Sequence, residues 1–156
     1  MSRGLLGLEL DAPHAFGPLR ITELALSLPG VRFPVDVSGG VSRFRHRRGV
    51  LTHLLVEAAT QDVIAWAAPR LRGLLGEPTP ELILAPIEGG FLVGLRQGER
   101  ALAFDAIVAP LDDELRVLPE RARGVGLGAP PQVLSLRALA ALCAPFGRVS
   151  GGVLRI

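Results

Sequence analysis

Residues 82–118 read LILAPIEGGFLVGLRQGERALAFDAIVAPLDDELRVL, and this stretch decides the fold. Four apolar runs, at 82–86, 91–96, 101–109 and 114–118, are separated by Glu88-Gly89-Gly90, Gln97-Gly98-Glu99 and Leu111-Asp112-Asp113. Connections this short join antiparallel neighbours, since a parallel pair needs a crossover of about a dozen residues or more. The stretch predicts a β-meander.

Upstream, Thr22, Leu24, Leu26 and Leu28 alternate with Ile21, Glu23, Ala25 and Ser27, which predicts a strand over 20–28 ended by a Pro29-Gly30 turn. Residues 33–38 read as a second strand, bulged or bent at Gly39-Gly40. Extended structure resuming at Val41 and turning over 46–49 would pair with a strand over 50–58, placing Val50, Thr52, Leu54, Val56 and Ala58 inward. Residues 1–19 carry Gly4, Gly7, Pro13, Gly17 and Pro18 and are expected to be irregular.

Between these strands and the meander, Thr60 can cap a helix, Asp62 suits its first turn and Gly76 its end. Val63, Ile64, Ala67, Leu71, Leu74 and Leu75 fall on one helical stripe, the candidate apolar contact surface, and Pro69 is expected to kink or split the helix. After the meander come a Gly- and Pro-rich loop over 121–131, a helix over 136–144 capped by Ser135, with Gly147 past its end, and an apolar strand over 148–156. The fold class is α+β: a curved antiparallel meander of about seven to eight strands packed around one or two apolar helices. Residues 20–156 form a single domain in this reading.

The chain has 156 residues, 49% of them hydrophobic and only 4% aromatic, so Leu, Val, Ala and Ile must build the core. No apolar run approaches the roughly 18 to 20 residues of a membrane span, and Glu9 and Asp11 cut the first one too early for a signal peptide. A cytoplasmic location is the default expectation. All 17 basic residues are Arg, and the absence of Lys, Asn and Tyr fits a GC-rich bacterial coding sequence. Clustering is the informative part. Arg43, Arg45, Arg47 and Arg48, with His46 among them, carry the net positive charge; without those arginines the formal charge falls from +2 to −2. They are the candidate anion- or partner-binding residues, and Phe44 offers a stacking ring beside them.

Catalytic signals are weak. His14, His46 and His53 lack metal-ligand spacing, and His53 and Glu57 share a strand face without reaching each other. Cys143 sits among small apolar residues near a helix end, the setting of an inert thiol. Asp105 lies in an otherwise apolar strand, where alternation turns it outward, and Asp36 is placed to pair with an arginine of the basic segment. Gly124-Val125-Gly126-Leu127-Gly128 is followed by Pro130-Pro131, where a dinucleotide fingerprint would open a helix. No cofactor is implied. Val37-Ser38-Gly39-Gly40-Val41 recurs as Val149-Ser150-Gly151-Gly152-Val153 without matching flanks.

In element order and apolar content over residues 20–156, the chain resembles one half of a tubular lipid-binding (BPI-like) module. That resemblance implies a curved sheet wrapped on a long helix around a cavity for a lipid-like ligand. The surplus of apolar residues points to a non-enzymatic binding or assembly domain, with a protein partner, self-association or a lipid-like ligand as its use. The alternative is nucleic-acid or anion binding through residues 43–48.

Overall fold

The structure, a computed structural model, describes residues 3–32, 38, 48–111, 114–144 and 147–155. Among the described residues, two antiparallel sheets and two α-helices form an α+β architecture. The chain divides into two compact units, Met1–Ala59 and Thr60–Ile156, with the boundary where the first helix begins. The expected single sheet is therefore two sheets, of four and six strands.

In the first unit, β3 (Leu19–Arg32) is the central strand. β1 (Arg3–Glu9) and β2 (His14–Phe16) pair along one of its edges and β4 (Val50–Glu57) along the other. The expectation of an irregular segment over 1–19 is thus corrected. Leu6 and Leu8 find partners in Leu28 and Leu26 across the ladder, and such long-range pairs outweigh the local glycines and prolines. Nor does Pro29-Gly30 end the strand. Arg3 and Gly4 stand opposite Arg32 and Val31, but Leu6 stands opposite Leu28, so one residue of β1 faces the Pro-Gly pair. The pair is a bulge, and Gly30 at φ 69° supplies the left-handed conformation it needs.

The second unit contains the predicted meander. β5 (Glu81–Ile87), β6 (Gly90–Gln97), β7 (Arg100–Leu111) and β8 (Glu114–Val125) pair in sequence order, and β10 (Val153–Arg155) then β9 (Arg148–Ser150) extend the sheet beyond β8. Residues 121–125, expected as loop, continue β8 because Ala101, Leu102 and Ala103 offer partners to Val125, Gly124 and Arg123. The predicted final strand is instead a hairpin: Ser150 pairs with Val153 around Gly151-Gly152. Both glycines have positive φ, 61° and 77°, as a two-residue hairpin loop of this type requires. The second copy of the Val-Ser-Gly-Gly-Val motif is therefore a turn. All of the first copy except Ser38 lies outside the described residues, as do the predicted strand over 33–38 apart from that serine and residues 41–47 of the predicted hairpin.

One face of this sheet is covered by α1 (Thr60–Ala67), a 3-10 turn (Ala68–Leu71) and α2 (Pro131–Cys143). The long helix expected over 60–76 stops at Ala67 because Pro69 has no amide to give and its ring crowds the preceding turn. The stripe still does its packing: Ala67, Leu71 and Leu75 are buried, while Ile64 and Leu74 lie against the same core and Val63 is half-buried. α2 starts five residues before the expected first helical residue, 136. Pro131 suits the first helical position, and Ser135 is buried inside the helix, donating its hydroxyl to the Gln132 carbonyl at 2.9 Å. Trp66 packs at the edge of the core, with the Arg70 guanidinium 3.9 Å from the centre of its ring and Arg70 Nη1 donating to the Trp66 carbonyl at 2.5 Å.

Phe104, 1% exposed, is the largest side chain of this core. Phe104→Ala should cost about 3–5 kcal/mol. Leu54→Ala in β4, at a side chain 45% exposed, should cost well under half as much. Urea denaturation of the two variants checks the contrast.

Candidate binding surfaces

β4 was expected to point every second residue inward, and it does not. All eight of its residues are exposed, among them Val50, Leu51, Leu54, Leu55 and Val56 at 41–60%. Two bulges break the alternation. Thr22 is the extra residue on β3 and Thr52 on β4, and each threonine donates its hydroxyl across the ladder, Thr22 to the Leu55 carbonyl at 3.3 Å and Thr52 to the Ala25 carbonyl at 3.0 Å. After these phase changes Leu51 and Leu54 stand opposite Leu26 and Leu24, and Leu6 and Leu8 opposite Leu28 and Leu26. One face of the sheet is a leucine surface. Its outermost strand, β4, has no partner on its far edge among the described residues.

The opposite face holds the polar feature of this unit. His53 Nε2 lies 2.7 Å from Glu23 Oε2, both exposed, so the partner of His53 is Glu23 on the neighbouring strand and not Glu57 on its own. Of the predicted basic segment, Arg48 is exposed two residues before β4, while Arg43, Arg45, His46 and Arg47 lie outside the described residues, together with Asp36.

In the second unit Asp105 is buried, contrary to its outward placement by alternation alone. Its strand does turn it away from Phe104 and the helices, but Arg121 closes over it. Ala103 pairs with Arg123 and Asp105 with Glu120, so Arg121 and Ala122 together oppose Phe104. Arg121 takes φ 50°, a conformation that costs a non-glycine residue of order 1 kcal/mol, and its Nε and Nη2 both bond Asp105 Oδ2. This arrangement is a charge-neutral clamp across a bulge. Cys143, the last residue of α2, is half-buried, and that burial pushes its thiol pKa up, away from the nucleophilic form.

A shallow cleft of about 240 Å³ opens beside α2. Leu74, Leu75, Leu127 and Leu134 provide its apolar lining, Gly128 and Ala129 border it, and Arg100 and Arg137 supply its charge. Arg100 is fixed by donating from Nη1 to the Leu75 carbonyl at 2.6 Å. Sequence reading missed both arginines. Arg137 follows Leu134 by three residues, and starting the helix at Pro131 would have placed it one turn along the same face.

Among the described residues no group of three or more His, Cys, Asp or Glu side chains could hold a metal ion, and no helix is long and apolar enough to cross a membrane. Compared with known proteins, the chain matches no family model, no curated protein and no solved structure.

The clamp predicts an asymmetry in mutational cost. Arg121→Ala leaves the Asp105 carboxylate buried without its partner and should cost roughly 2–4 kcal/mol. In an Asp105→Asn background the same change should cost much less, and Arg123→Ala should stay within about 0.5 kcal/mol. A double-mutant cycle by chemical denaturation measures all of these.

Proposed function

We propose that the protein is a non-enzymatic binding and assembly domain whose first sheet associates with a second copy of the chain through β4. The observation that carries this reading is the uniform exposure of an apolar strand that has no partner on its far edge among the described residues. An edge presents unpaired amides and carbonyls to any strand that can align with it, and edge strands are ordinarily blunted by charge, by proline or by shortness. Between Arg48 and Glu57, β4 has neither proline nor a permanently charged residue.

The occupant follows from polarity. Antiparallel pairing of two copies sets the Arg48 end of one strand toward the Glu57 end of the other, so opposite charges meet at both ends of the ladder. The apolar side chains between them supply the buried area, and main-chain hydrogen bonds supply the register. The chemistry of the second unit supports the non-catalytic part. Its buried carboxylate is neutralised by Arg121, and its thiol is held protonated by burial.

Native mass spectrometry and light scattering at tens of micromolar test the proposal, with a dimer as the expected result. Leu51→Lys combined with Leu55→Lys, which adds charge to both faces of the edge, should convert that dimer to monomer while leaving the thermal midpoint nearly unchanged. A monomeric wild-type chain, a dimer indifferent to the two lysines, or a co-purified lipid in place of a second copy would each overturn the reading.

A further inference from the structure

The cleft beside α2 is lined by residues of the second unit alone. We infer that it binds a small monocarboxylate with an apolar body. Its floor is aliphatic and buried at Leu75 and Leu134, so it favours a ligand that brings hydrocarbon. Its charged lining is of one sign: two guanidinium groups and, among the described residues, no acidic side chain. Arg137 has no hydrogen-bonding or ion-pairing partner among the described residues.

These features select a ligand with one anionic end. A guanidinium offers paired N–H donors that match the two oxygens of a carboxylate, and such charge-assisted bonds strengthen where an apolar wall excludes water. Arg100 is already oriented by its bond to the Leu75 carbonyl, so the ligand need not order that side chain. Leu134 and Arg137, one helical turn apart, place the apolar floor and the charged rim on a single rigid element. The volume, about 240 Å³, is below that of ordinary drug-sized pockets and fits a short aliphatic chain or a single ring.

Octanoate is the probe, with octanol and inorganic phosphate as the arms that remove its charge and its tail in turn. Titration into the full chain, followed by ¹H–¹⁵N NMR, should give saturable shifts confined to residues around 74–76, 100, 127–129 and 134–137. Octanol and phosphate should each bind more weakly than octanoate by about tenfold or more. Arg137→Gln, at an exposed position, should weaken octanoate by about tenfold while leaving the remaining amide spectrum in place. Gly128→Leu adds bulk where a Cβ would meet nothing within 4 Å, so it should fill the cleft without unfolding the chain and abolish the shifts. Equal binding of octanol or of phosphate, shifts mapping to β1, β3 and β4, no saturation by roughly 10 mM, or octanoate binding unchanged in either variant would overturn the assignment.

Discussion

Backbone hydrogen bonding along β3 and β7 is the constraint from which both sheets follow. Each is long, 14 and 12 residues, and each must satisfy neighbours on two edges whose side chains demand different phases. A sheet strand has a period of two, so a neighbour that needs a different face must gain or lose one residue. The molecule resolves this with bulges at Pro29-Gly30, Thr22, Thr52 and Arg121-Ala122. Everything of chemical interest nearby sits at or next to one of them: the leucine face of the first sheet, the Glu23–His53 pair, and the Asp105–Arg121 clamp.

The two units use this device to different ends. In the second, the helices cover one face of the sheet, and the bulge on β8 allows Phe104 to stay in the core while Asp105 is closed off on the other side. In the first, no helix lies among the described residues, and the bulges gather leucines from three strands on one face. An apolar face whose edge strand has no further partner among the described residues is the arrangement that natural sheets normally avoid, which is why β4 bears the weight of the functional reading.

The meander was legible because its evidence is local: alternating apolar residues and short glycine turns carry their meaning within a dozen positions. The α1 stripe was legible as one apolar face, though most of it packs into the core instead of forming a contact surface, and Pro69 announced the end of regular helix. What resisted reading was non-local. Nothing in residues 1–19 announces that Leu6 and Leu8 will meet Leu28 and Leu26, and Pro29-Gly30 looks the same whether it ends a strand or bulges within it. The cleft was invisible because Arg100 and Arg137 are 37 positions apart and meet only through the fold. Asp105 was seen as unusual, but its partner needed a bulge that no period-two pattern contains.

The Trp66–Arg70 stack has an optical consequence. The chain contains one tryptophan and no tyrosine, so Trp66 dominates its ultraviolet emission. A guanidinium over the indole and a core at its edge make that emission responsive to the loosening of α1. Fluorescence is therefore a reporter of the second unit, and paired with a backbone signal such as far-ultraviolet circular dichroism it separates the melting of the helix-covered sheet from that of the leucine-faced one.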